Sequence, residues 1–492
     1  MHPYQRIHSG VRLVPHLVGG EWRFEKGPWS VRSPYTGEPM FELKPADAAL
    51  VDGAIQRAAD GAREWGATPI KDRSRVLFAA RENILRNMEE LRATVSFESG
   101  KTIAEAEAGV LKGVEVLEFA LSLQNLDVGG RMEVSRGVSC EVRRVPLGVV
   151  AGISPFNFPA MVPMWMMPIA LALGNAFVWK PSDKVPMTSQ LLADCFVKAG
   201  LPGGALTVLQ GGVETVNAIV DHPHVRAIGF VGSTPVAKAL YQRGTSHGKR
   251  VLALGGAKNH LILLPDADPE LTAQGISDSF TGCAGQRCMA ASVLVAVGKV
   301  DHLIEQIVER ARSQRLGDTM GAIISAQQVD FLHTAIARAE AEGARILLDG
   351  RKVTPPEGFA GGNWLGPTII DGVRPGSEAS TRELFGPVLS IVRVNTLDEA
   401  LALDASSDFG NATSVFTSSG AAAEEVARRS ESGMIGVNIG VPVPREPFSF
   451  GGTFDSKFGH GDITGVPSLS LWSDLKKVTT KWTSPKQQNW MS

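Results

Sequence analysis

At 492 residues, with 43% hydrophobic and 20% charged side chains, the chain has the balance of a large globular protein of two or three domains. Its 49 basic side chains against 51 acidic ones leave a net charge of −2, which supplies no field for a polyanion and excludes nucleic acid as an expected partner. Four cysteines, Cys140, Cys195, Cys283 and Cys288, are too few and too irregularly spaced for a disulfide framework, and the ten scattered histidines offer no zinc-ligand spacing, so no metal is expected.

Residues 1–20 carry charges and prolines but no apolar core of signal-peptide length, and a cytoplasmic location is expected. Val51, Ile55, Ala58, Ala62 and Trp65 recur at helical spacing, as do Leu77, Ala80, Ile84, Met88, Leu91 and Val95, which predicts two amphipathic helices. A third helical pattern runs through Val110, Val114, Leu117 and Leu121, with Lys112 on another of its faces. Residues 158–179 are almost free of charge and about as long as a bilayer is thick. Pro159, Pro163 and Pro168 free backbone groups that a protein interior can satisfy and lipid cannot, so this is expected to be a buried segment, with no membrane partner.

From Val145 the rhythm changes to short apolar runs at 148–153, 176–179, 206–209, 227–231 and 251–254, separated by helical or turn-rich segments. Strands alternating with helices predict a parallel sheet covered on both faces, with ligands outside the carboxyl ends of its strands. A second alternation follows: a strand at 260–264, helices at 270–280 and 302–315, and strands at 389–394 and 414–417. The Pro/Gly-rich stretch 355–367 reads as a surface excursion.

Four segments carry candidate chemistry. Cys288 lies in Gly282-Cys283-Ala284-Gly285-Gln286-Arg287-Cys288-Met289, a small-residue turn whose free N–H groups and neighbouring Arg287 would lower a thiol pKa. On these residues alone a buried inert cysteine is an equal reading, and Cys283, beside Thr281, Gly282 and Ala284, reads as packing. Asn157 in Ser154-Pro155-Phe156-Asn157-Phe158-Pro159 follows the first strand of the sheet, where its amide either donates to an oxyanion or shapes a proline-rich turn. Gly232-Ser233-Thr234-Pro235 opens a helix whose N–H groups suit a phosphate, a weak motif when alone. Lys180-Pro181-Ser182-Asp183 follows the second strand, where a lysine and a carboxylate suit ribose hydroxyls, or form a solvated turn.

Taken in order and at these separations, the segments resemble the aldehyde dehydrogenase superfamily over nearly the whole chain. The resemblance implies an α/β fold: a Rossmann-like cofactor domain (1–121 and 145–255), a second α/β catalytic domain carrying Cys288 (256–450), and a small β oligomerisation arm (122–144 and 466–484) forming a homodimer or homotetramer. It makes Cys288 the nucleophile and Asn157, with the Cys288 N–H, the oxyanion hole. Ser154, Phe156, Lys180, Asp183, Lys184, Gly232, Ser233, Glu383 and Phe385 are implied to bind the cofactor, NAD, with Asp183 replacing the usual glutamate and still repelling a 2′-phosphate.

Gly256-Ala257-Lys258-Asn259-His260, Arg287-Cys288-Met289-Ala290 and the Asn157 segment are similar to the methylmalonate-semialdehyde dehydrogenase branch. That branch oxidises malonate or methylmalonate semialdehyde through a thioester, with decarboxylation and transfer to coenzyme A as co-substrate, giving acetyl-CoA or propionyl-CoA. Leu254 falls where hydrolytic members carry a glutamate to activate water, and a leucine cannot take a proton. Lys112 stands where the family has an arginine that, with Arg287, binds the substrate carboxylate; lysine keeps the charge and loses the planar fork. Gln286 and Ala237 are small departures, and the tail 450–482 matches loosely. The alternative at this point is a non-acylating relative releasing a free acid from another anionic semialdehyde or a sulfonated aldehyde.

Overall fold

The computed structural model describes residues 1–126 and 129–482. Residues 127, 128, 483 and 484, which fall inside the expected arm segments, lie outside the described residues.

The first helix, Ala48–Ala67, starts where the Asp47 carboxylate accepts from Leu50 N–H and buries Val51, Ile55, Ala58, Ala62 and Trp65. The second pattern, expected as one helix, is two: Ile70–Arg86 and Met88–Ser99 share Asn87, whose φ of −96° and ψ of 15° leave the helical region. Apolar periodicity survives such a break because both halves pack on the same core, so spacing alone does not reveal it. The third, Ile103–Leu126, opens on a reciprocal cap in which Thr102 N–H donates to Glu105 and Glu105 N–H donates to Thr102 Oγ1. It lies against the fully buried helix Met161–Ala172, and a Cβ at Gly113 would stand 3.0 Å from Met164 Cβ. The apolar stretch is thus interior, and among the described residues no helix is long and apolar enough to cross a membrane.

Eight strands form the larger sheet in the order Lys457–Phe458, Arg250–Leu254, Val225–Val231, Val149–Ile153, Ala176–Lys180, Leu206–Val208, His16–Val18, Glu21–Arg23. The five central strands are parallel, and the chain leaves Val149–Ile153 first to one side and later to the other. That reversal creates a crevice at the carboxyl ends, where Ser154 begins. The second sheet has seven strands in the order Arg345–Leu348, Thr368–Asp371, Val388–Val394, Val293–Val297, His260–Leu263, Ala412–Phe416, Met434–Val437, all parallel but the first. A separate antiparallel sheet joins Gly130–Ser135, Val138–Pro146 and Ser473–Lys481, the last pairing along its whole length with the middle strand. The expected surface excursion 355–367 is anchored more deeply than its composition implied: Trp364 and Leu365 are buried, and Asn363 N–H donates to Pro34 O.

Candidate active site

The Cys288 loop runs between the helix Pro269–Thr281 and the strand Val293–Val297. Three consecutive residues, Cys283, Ala284 and Gly285, hold φ of 55°, 51° and 68°, a left-handed run that costs free energy and persists only because its surroundings fix it. The fixtures are specific. Glu105 accepts from Cys283 N–H, Gln286 Oε1 accepts from Ile324 N–H at 3.0 Å, and a Cβ at Gly285 would stand 2.0 Å from Gly386 O. The carbonyl of Cys288 accepts from two buried amides, Asn259 at 2.7 Å and Asn411 at 2.9 Å, which orients the peptide whose N–H groups face the sulfur.

Around that sulfur lies a cavity of about 390 Å³ whose walls include Lys112, Arg287, Phe158, Trp165, Val441 and Phe450. Asn157 is buried and donates from Nδ2 to Gln286 O at 3.0 Å, which fixes the amide beside the Cys288 loop and leaves its second N–H for a ligand. Arg287 Nη2 donates to the carbonyls of Asp278 and Ser279, and its Nε is buried with no hydrogen-bond partner among the described residues. The expected cation is therefore present but turned partly to backbone. Lys112 Nζ reaches the same cavity already paired with Glu115 and Glu446.

The expected low thiol pKa is not what the structure holds. Burial pushes the Cys288 thiol up to about 12, the Glu383 carboxylate adds to the rise, and the N–H groups of Cys288 and Met289 and the charge of Arg287 offset only part of it. The free enzyme thus keeps Cys288 as a thiol. Far below its pKa a thiolate fraction grows about tenfold per pH unit, so alkylation of the Cys288 peptide by iodoacetamide should climb at that slope from about pH 7 to 10. A plateau near pH 8 would contradict the assignment.

The remaining expected positions divide between the crevice and its far wall. Ser154 Oγ accepts from Trp179 Nε1 at 2.8 Å, which pins the start of the crevice. Phe156 and Phe385 meet edge to face, with ring centroids 5.8 Å apart, and Lys184 Nζ lies 5.0 Å from the Phe156 centroid. Lys180 is 6% exposed and its ammonium has no hydrogen-bond partner among the described residues; burial lowers its pKa and Asp183 partly restores it. An ammonium that makes no hydrogen bond among the described residues, on a residue only 6% exposed and beside a carboxylate, suits a pair of ribose hydroxyls, so these residues fit a dinucleotide. Ser233 caps the helix Thr234–Ser246 without a side-chain bond of its own, and Gly232 N–H donates to Leu254 O. Asp183 and Lys184 also line a separate cavity of about 670 Å³ with Trp29, Arg32 and Ser325.

Opposite, Glu383 accepts from Ala257 N–H at 3.1 Å, and burial raises its carboxyl to about 7 against the pull of that N–H and of Lys258. A Cβ at Gly256 would stand 2.4 Å from its Oε2. Phe385 holds φ of 56°, and Gln328 Nε2 donates to the carbonyls of Leu384 and Phe385 to keep it there. Leu254 is 3% exposed, in the buried apolar cluster against which Cys288 packs.

Sequence reasoning missed Asn259 and Asn411, Gln328, and the pair Arg445 and Glu446. Asn259 sat in a quoted motif, but its partner carbonyl lies 29 residues away and no local spacing announces it.

The family model described as the aldehyde dehydrogenase family matches residues 22–478. Malonate-semialdehyde dehydrogenase 1 of Oceanobacillus iheyensis is 38% identical over 488 residues, covering 97% of this chain and 100% of that one. The acylating mitochondrial methylmalonate-semialdehyde/malonate-semialdehyde dehydrogenase of Homo sapiens is 38% identical over 483 residues, covering 96% and 90%. A Sinorhizobium meliloti 1021 protein, solved in complex with NAD, superposes with a TM-score of 0.95 at 36% identity, covering 98% and 100%.

Proposed function

This chain belongs to the aldehyde dehydrogenase family, and from that premise we propose that it oxidises malonate semialdehyde or methylmalonate semialdehyde with NAD and delivers the acyl group to coenzyme A. Relatives at 38% identity over nearly the whole chain carry malonate-semialdehyde or acylating names, and a close structural relative binds NAD. The observation that carries the acylating reading is Leu254: where the resemblance puts the water-activating glutamate of hydrolytic members, this chain has a buried leucine in the apolar cluster against which Cys288 packs, and a leucine takes no proton.

Cys288 releases its thiol proton to solvent and attacks the aldehyde carbon, and the oxyanion of the resulting thiohemiacetal is met by the free N–H of Asn157 and the N–H of Cys288. NAD, when bound, supplies the acceptor for the hydride that leaves that carbon. Arg287, whose side chain lines the cavity, orients the substrate carboxylate; the value of that contact is positional. The carboxylate leaves as carbon dioxide, its bonding pair passing into the thioester as an enolate that is then protonated. The thiol of coenzyme A forms the new C–S bond as the bond to Cys288 breaks, and the Cys288 thiol is restored. Ser154, Phe156, Lys180, Asp183, Lys184, Gly232, Ser233, Glu383 and Phe385 hold the dinucleotide.

In this reading residues 1–121 and 145–255 form the cofactor-binding unit and 256–450 the catalytic one. Residues 122–144 and 466–484 act as a self-association arm, giving a homodimer or homotetramer in the cytoplasm. The paired strands Val138–Pro146 and Ser473–Lys481 support the arm.

The test is steady-state NADH formation from malonate semialdehyde with and without coenzyme A, with products identified by mass. Sustained NADH and acetyl-CoA only with coenzyme A present is the expected result. Equal turnover to free acid without it would overturn the acylating reading.

A further inference from the structure

The lysine that sequence resemblance assigns to the substrate carboxylate already holds carboxylates of its own. Lys112 Nζ lies 2.9 Å from Glu115 Oε2 and 3.0 Å from Glu446 Oε2. Glu115 is three residues along the same helix and half-exposed, so its hold is screened by water. Glu446 arrives from 334 residues away with its side chain only 9% exposed, and is the firmer partner. Arg445 Nη1 stands 3.9 Å from Glu115 Oε1, so two cations and two carboxylates close a cluster without net charge. The cluster sits between the cavity of Cys288, which Lys112 and Arg445 line, and a second one lined by Glu115, Arg445 and Glu446.

We propose that Glu446 is a specificity-determining residue that occupies, with its own carboxylate, the place on Lys112 an anionic substrate would take, and so weakens the site's preference for an anionic over an uncharged aldehyde. The inference rests on the thioester reading of Cys288. A substrate carboxylate reaching Lys112 must displace Glu446, leaving a mostly buried charge unpaired, or share the ammonium with it, setting like charges side by side. An uncharged aldehyde meets neither cost, and Phe158, Met161, Trp165, Val441 and Phe450 offer it an apolar wall. Arg287 remains as the one cation in the cavity not tied to a carboxylate among the described residues, and it supplies the residual preference for an anion. With an uncharged aldehyde the chemistry balances without loss of carbon dioxide. The carbonyl carbon loses a hydride to NAD, the attacking thiol of Cys288 its proton to solvent, and the C–S bond to Cys288 is exchanged for one to coenzyme A, whose thiol proton restores Cys288.

The experiment compares kcat/KM for malonate semialdehyde and for propanal, both with NAD and coenzyme A, in the parent, Glu446→Gln, Glu446→Asp and the double variant Lys112→Met/Glu446→Gln. The parent should form propionyl-CoA from propanal. Glu446→Gln should raise the ratio of anionic to neutral kcat/KM by about tenfold, through a lower KM for the semialdehyde, because the freed ammonium then meets the substrate. Glu446→Asp should return the ratio towards the parent, and the double variant should lose the gain, since the effect runs through Lys112. A ratio unchanged or lowered in Glu446→Gln, or a gain that survives loss of Lys112, would overturn the proposal, as would a parent inert to propanal. The parent's acetyl-CoA yield from the semialdehyde speaks to the proposed function separately, and the ratio between variants speaks to Glu446 alone.

Discussion

Cys288→Ala should lower kcat by a factor of about 10⁴ to 10⁶, the range in which loss of a covalent nucleophile falls when binding groups stay in place. The loop that carries Cys288 is fixed by groups other than its sulfur. Its carbonyl is held by Asn259 and Asn411, its neighbour Gln286 by Ile324 N–H, and its left-handed turn by Glu105 and the backbone at Gly386. The variant should therefore fold and melt close to the parent and bind NAD with little change, as thermal unfolding and fluorescence titration would show. Cys283, buried with its N–H held by Glu105, should not substitute as nucleophile. Turnover retained within tenfold of the parent would remove Cys288 from the mechanism.

Asn157→Ala is the second large effect. Loss of one oxyanion donor costs about 10² to 10³ in rate, roughly 2.7 to 4 kcal/mol, because the bond forms only as charge develops on oxygen. Since that interaction is made in the transition state, kcat and kcat/KM should fall together with KM little moved. The single-turnover rate of NADH formation is the direct readout, because it isolates the step in which the thiohemiacetal oxygen carries charge. The amide also braces the loop through Gln286 O, so a small loss of stability is expected as well. A variant with unchanged NADH formation and a raised KM would assign Asn157 to binding or to the turn instead.

The parallel sheets were legible in the chain because strands buried on both faces leave continuous apolar runs. The run read at 148–153 became Val149–Ile153, and that at 227–231 the longer Val225–Val231. Residues at the strand ends, Ser154, Lys180, Gly232 and Ser233, could be named because the topology itself puts them in the crevice. What spacing could not show was electrostatic context. Arg287 next to Cys288 in sequence suggested a thiolate, yet its guanidinium turns to the Asp278 and Ser279 carbonyls, and burial together with Glu383 dominates the thiol. Lys112 looked like a free cation because Glu446 is 334 residues distant and lies in a proline-rich stretch with no periodicity. The split at Asn87 was hidden for the opposite reason, a periodicity that continues through a break in the backbone.

The acylating mechanism is tested most directly by the covalent state of Cys288 itself. Enzyme mixed with NAD and malonate semialdehyde, without coenzyme A, would be quenched and digested, and the Cys288 peptide analysed by mass. An acetylated Cys288 should accumulate, persist in water, and be discharged as acetyl-CoA when coenzyme A is added. An unmodified Cys288, with free acetate forming as fast without coenzyme A as with it, would contradict that mechanism.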